Sequence, residues 1–197
     1  VSRPLAVAIT GGIGAGKSEA LAAFARHGAA TLSSDEIVHR LLADDADVRE
    51  ALLERFGEAV LDENGQIDRR SIAEIVFPEG EALDWLERLL HPRVQQEYLE
   101  WREQLAGLPD PPAICVTEIP LLYEVGSDEW FDAVVVITAP RELRAARAKW
   151  WPDVAPRERR LLPDEEKVAR ADFAFVNDGT LEELDAFVAG VVRDLRS

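Results

Sequence analysis

Residues 11–18 read GGIGAGKS, which places Gly11 five positions ahead of Gly16, followed at once by Lys17 and Ser18. This satisfies G-x-x-x-x-G-K-[ST], and each residue type in it has a chemical reason. Gly11, Gly12, Gly14 and Gly16, with the small Ala15 between them, let the backbone wrap round a phosphate without Cβ obstruction. Successive N–H groups and the start of the next helix then face the anion. Lys17 reaches the β- and γ-phosphates of a nucleoside triphosphate, and the Ser18 hydroxyl takes a magnesium position. The blander account, a flexible turn with a surface lysine, fits poorly: a strand precedes the loop, an Ala- and Leu-rich helix follows it to about Gly28, and the chain has only three lysines. Among triphosphates the reading favours ATP. A guanine-reading Asn-Lys-x-Asp element is absent, and the nearest stretch, Asn177-Asp178-Gly179, serves equally well as a turn.

A second candidate is Asp35, which follows the short apolar run 29–32 through Ser33 and Ser34. Ligands of open α/β sheets sit beyond the carboxyl ends of the strands, so a carboxylate here can take the proton of a hydroxyl attacking the γ-phosphate. Its alternative role is to line the first turn of its own helix. Residues 141–160 form a basic island of net charge +4 in a chain whose remainder carries −20. Such an island needs an anionic partner or neighbour, either phosphates or the chain's own excess acid.

The elements that position these groups are legible in the periodicity. Short β-branched or apolar runs at 5–9, 29–32, 113–117, 133–138 and 173–176 alternate with helical spacing, which predicts an α/β fold on a parallel sheet. The last helix starts at Thr180 with Glu183 completing a capping box, and it sets Leu181, Leu184, Phe187, Val188, Val191, Val192 and Leu195 on one face. About 80 residues between the second and third runs show helical patterns alone, so we expect an inserted helical subdomain at 45–107 within a single domain of 1–197. Inside it, Asn64-Gly65 marks a turn and Pro92 starts a new helix after His91.

Composition narrows the remaining classes. Apolar residues make up 47% of the 197, enough to bury a core despite a net charge of −16. No apolar run approaches the ~18 residues that span a bilayer, and no export signal is evident, so a cytoplasmic protein without a membrane partner is expected. One cysteine, Cys115, and three scattered histidines exclude internal disulfides, Cys-based zinc sites and HExxH spacing. A pI near 4.6 argues against a nucleic-acid partner. A monomer is the default expectation.

GGIGAGKS, SSDEIVHR, IDRRSIAEIVF (67–77), LLHPRVQQE (89–97), IPLLYE (119–124) and PDEEKVARADFAFVNDG (163–179) together resemble the dephospho-CoA kinases in order and spacing over nearly the whole chain. His-Pro after a helix and Pro-Leu-Leu after the third strand are the family-specific elements. The resemblance implies transfer of the ATP γ-phosphate, with magnesium, to the ribose 3′-hydroxyl of dephospho-CoA. It also implies a five-stranded sheet of order 2-3-1-4-5, a helical acceptor subdomain and a lid at 141–166. Residue by residue it makes Asp35 the base and Arg69 an acceptor contact. His91, Pro92, Pro120 and Leu121 shape the acceptor pocket, Arg147 covers the ATP phosphates, and Asn177, Asp178 and Gly179 lie near adenine.

The chain departs from the family pattern in four places. Ser33 stands where a first carboxylate is usual, Glu19 replaces a small hydroxyl residue beside the phosphates, and Leu161 replaces a glutamine. The lid is short, and Trp151 occupies the position of a second arginine, a role the alignment gives to Arg157. Glu118, at the end of the third run, has the placement of a magnesium-binding acid. Two rivals remain: a kinase of the same fold acting on another small acceptor such as a nucleoside monophosphate, and a nucleotide-dependent switch with no acceptor.

Overall fold

In the computed structural model, which describes residues 3–147 and 161–197, the five apolar runs become the parallel strands β1 (Leu5–Thr10), β2 (Ala30–Ser33), β3 (Ile114–Glu118), β4 (Ala133–Thr138) and β5 (Phe173–Val176). Their order is β2-β3-β1-β4-β5, as the resemblance implies. β1 lies centrally, pairing Val7 with Val116 of β3 and Ile9 with Val135 of β4. Helices covering both faces explain why β1, β3 and β4 are buried along nearly their whole length.

The period of two sorts the strand side chains between the faces. Val7, Ile9, Ile114, Val116, Val135 and Ile137 pack with Phe24 of α1 (Lys17–Arg26) and with Leu184, Val188 and Val191 of α8 (Leu181–Leu195). Ala8, Val134 and Val136 pack on the other side with Leu122 and Tyr123. At the sheet's edge the Phe175 and Phe187 rings stack with centroids 4.9 Å apart. Thr180 Oγ1 accepts from Glu183 N while the Glu183 carboxylate accepts from Thr180 N, closing the expected capping box. One member of the anticipated apolar face differs: Leu181 is exposed. It occupies the first helical position, one turn short of the sheet contact made by Leu184.

Contacts divide the chain into two units, Val1–Ser34 with Arg102–Ser197, and Asp35–Trp101. The first carries the sheet with α1, α6 (Arg141–Arg147), α7 (Asp164–Arg170) and α8. The second is built from α2 (Ser34–Asp44), α3 (Ala46–Phe56), α4 (Arg69–Val76) and most of α5 (Gly80–Ala106). Asp45 and Asp68 cap α3 and α4 through their carboxylates. Asn64-Gly65 forms the expected turn, with Gly65 at φ 72° and a Leu61–Ile67 bridge closing it.

Pro92 corrects the sequence reading: α5 continues through it. Proline removes a backbone donor and crowds the preceding turn. The carbonyl that loses its donor is that of Arg88, four residues back; in the same turn Arg93 Nη1 donates to the Leu89 carbonyl at 2.9 Å. No helix among the described residues is long and apolar enough to cross a membrane.

Candidate active site

β1 ends at Thr10, and the chain then turns through three glycines with positive φ: Gly11 at 143°, Gly14 at 74° and Gly16 at 101°. Glycine is required here for space as well as backbone angle. A Cβ on Gly11 would run into the Ile137 carbonyl of β4, and one on Gly16 into the Asn177 amide. The loop closes on itself through Ala15 N to Gly12 O at 3.2 Å. Gly16 is the N-cap of α1 and has no side chain to satisfy the first-turn N–H groups. An anion seated there meets donors that the fold has left for it.

Lys17 is 8% exposed, and its Nζ donates to Gly12 O at 3.1 Å. The ammonium therefore lies inside the turn of the loop. The Glu118 carboxylate stands near it, with Oε1 4.0 Å away. Glu118 closes β3, is 6% exposed, and accepts from Ser18 Oγ at 3.2 Å through Oε2. A buried carboxylate beside a hydroxyl at a phosphate loop is the hard oxygen donor set that magnesium takes in such sites. The donors present fit the ion that the sequence assigned to Ser18. Glu19, the next residue of α1, is exposed.

Two arginines of α6 flank the loop. Arg147 Nη1 donates to the Asn177 backbone carbonyl at 3.1 Å. Arg144 lies against Gly12 and Gly14, close enough that its guanidinium and backbone would meet a Cβ at either position, and its Nη2 is 3.9 Å from Asp164 Oδ2. Sequence reading counted Arg144 only as part of the basic island. Its spacing of three from Arg147, which puts both on one helical face, was the available signal. Asn177 is 4% exposed, and its Nδ2 donates to Ala15 O at 2.8 Å. Asp178 and Gly179 follow it, exposed. Beyond β3, Pro120 is held beside the loop by Thr10 Oγ1, which donates to its carbonyl at 3.3 Å; Pro120 and Leu121 are half-buried. Arg157, Trp151 and the centre of the expected lid lie outside the described residues.

In the second unit, Asp35 and Arg69 line one open hollow of about 410 Å³ together with Glu36, His39 and Arg40. Asp35 stands in the first turn of α2, two residues past the end of β2. Arg69 opens α4, whose cap Asp68 is held below the ordinary carboxylate value by the Ser71 hydroxyl and the Arg70 N–H. Arg69 Nη1 donates to His39 Nδ1 at 3.2 Å, and Arg40 pairs with Glu97 at 2.8 Å. His91 and Pro92 are exposed on α5, so core packing does not account for either, and neither lines this hollow.

The family model described as dephospho-CoA kinase matches residues 5–183. This chain belongs to the dephospho-CoA kinase family. It is 36% identical to a dephospho-CoA kinase of Chlorobaculum tepidum, covering 98% of this chain and 95% of that one. It is 34% identical to one of Protochlamydia amoebophila, covering 96% of each. Among solved structures, TT1252 from Thermus thermophilus superposes with a TM-score of 0.79 at 33% identity over 98% of this chain and 99% of that one. The dephospho-CoA kinase from Campylobacter jejuni gives 0.67 at 27% over 98% of each. The fold itself extends beyond the dephospho-CoA kinase family: a shikimate kinase from Bacteroides thetaiotaomicron superposes with a TM-score of 0.53 at 15% identity over 98% of this chain and 99% of that one.

Proposed function

We infer that this chain transfers the γ-phosphoryl group of ATP to the ribose 3′-hydroxyl of dephospho-CoA, giving coenzyme A and ADP. The observation that carries the reading is the glycine loop with Lys17 buried inside it and the Ser18–Glu118 pair beside it, in a chain of this family. The loop N–H groups and Lys17 bind the triphosphate and offset its charge. Ser18 and Glu118 would hold magnesium, which when bound neutralises charge developing on the β- and γ-oxygens. Arg147 adds positive charge at the phosphates, and Asp178 and Gly179 edge the adenine.

On the acceptor side, Asp35 accepts the hydroxyl proton as the ribose oxygen attacks phosphorus. With Ser33 in place of a first carboxylate, Asp35 does this alone. Arg69, oriented by His39, contacts the acceptor's anionic part. His91, Pro92, Pro120 and Leu121 are the further residues that the family assigns to the acceptor side.

Incubation with ATP, magnesium and one of dephospho-CoA, AMP or CMP, followed by mass analysis of the products, tests the reading. Coenzyme A formed from dephospho-CoA, with AMP and CMP unchanged, is the expected result. A phosphorylated nucleotide would transfer the assignment to a nucleoside monophosphate kinase. ADP with no phosphorylated acceptor would favour a nucleotide-dependent switch.

A further inference from the structure

We propose that Asn177 is a positioning residue for the phosphate loop, holding the Ala15–Gly16 peptide so that the Gly16 N–H is aimed into the cradle. A trans peptide points its carbonyl and its N–H in opposite directions. Fixing the outer end therefore fixes the inner one. The outer end here is the Ala15 carbonyl, on a residue with no exposed surface, and it accepts from Asn177 Nδ2 at 2.8 Å. Left without that donor it would be a buried, unpaired acceptor, which the loop would relieve by rotating the peptide.

Asn177 is itself anchored independently of the loop. Its backbone N–H donates to Thr138 O at the end of β4 at 2.7 Å, and its carbonyl accepts from Arg147 Nη1 at 3.1 Å. The orientation of the loop peptide is thus referenced to the sheet, across 162 positions of sequence. Gly16 completes the device, since any Cβ there would displace the Asn177 amide. This role differs from an adenine contact, and it holds whichever acceptor the enzyme uses.

The two roles separate with a ligand that has phosphates but no base. Inorganic tripolyphosphate is titrated as a competitive inhibitor against ATP for the unaltered enzyme, Asn177→Ala and Asn177→Asp, with KM for ATP and for the acceptor measured in parallel. The expected result is that both variants weaken tripolyphosphate and ATP alike, by about tenfold or more, while KM for the acceptor stays within about twofold. Asn177→Asp keeps the residue's volume and backbone bonds but presents an oxygen to the Ala15 carbonyl, so it decides the matter where Asn177→Ala fails to fold. Weakening of ATP with tripolyphosphate unaffected would assign Asn177 to the base and overturn the proposal. So would unchanged affinity for both ligands. Failure of the unaltered enzyme to bind tripolyphosphate would also overturn it, because a cradle preset by the protein holds phosphate without a nucleoside. None of these outcomes depends on which acceptor is phosphorylated.

Discussion

Ser18 Oγ donates to Glu118 Oε2 at 3.2 Å across 100 positions of sequence, joining the first residue after the loop lysine to the last residue of β3. Lys17 Nζ lies 4.0 Å from the same carboxylate, and Ser18 and Glu118 would hold the magnesium ion between them. Glu118→Gln keeps the shape and removes the charge. It should raise the magnesium concentration for half-maximal rate by about tenfold, with a smaller effect on the rate at saturating magnesium. A magnesium titration at fixed ATP checks this, and an unchanged half-maximal concentration would leave Glu118 a structural partner of Ser18 only.

Asp35 lines its hollow with Glu36, His39, Arg40 and Arg69, and as a carboxylate two residues past β2 it is the proposed acceptor of the hydroxyl proton. Asp35→Asn should lower kcat by ~10²-fold or more while the dissociation constant for ATP stays near its original value. Rapid-quench turnover together with calorimetric ATP titration separates the two quantities. Retention of most activity would remove Asp35 from the base role.

How much of this was legible in the sequence divides by range of contact. The strands could be read because buried parallel strands are short apolar runs, and the loop because its glycine spacing follows from wrapping a phosphate. Asp35 was found by counting from β2. Arg144 was not, because its importance lies in touching Gly12 and Gly14, which only the path of α6 reveals. Asn177 was noticed, but its hydrogen bond to Ala15 depends on where β5 ends beside the loop, a relation no local pattern encodes. The same limit applies to Pro92: the rule that proline starts or ends a helix is local, and α5 nevertheless runs on through it.

Asp185 of α8 accepts both Nε and Nη2 of Arg26 on Oδ1, at 2.9 and 2.8 Å, and stands 2.9 Å from His27 Nε2 through Oδ2. These partners, Arg26 first, hold its carboxyl below the ordinary value of 3.8. A lowered folded-state value means that the stabilisation is complete above about pH 5 and fades as pH falls through the folded value, below 3.8. Asp185→Asn should therefore lower the urea midpoint modestly at pH 6, and the gap from the unaltered protein should close by about pH 2.5. Urea melts across that range read the sign directly; a gap that widened on acidification would contradict the linkage.

Lys167 of α7 has no exposed surface, and its Nζ is 2.9 Å from Glu124 Oε1, which also accepts from Leu162 N at 2.8 Å. The pair ties α7 to the segment that carries Pro120 and Leu121. Two charges taken from water gain little net stability from each other, but removing one strands its partner. Lys167→Met should accordingly cost about 3 kcal/mol or more, since it leaves a carboxylate facing a methyl group. Adding Glu124→Leu removes the stranded charge and should restore much of that loss, though the Leu162 N–H then loses its acceptor. Urea denaturation of the two single variants and the double variant closes the cycle. The diagnostic result is a double variant more stable than Lys167→Met alone; a double variant that merely adds the two losses would mean that the ion pair contributes as two independent packing residues.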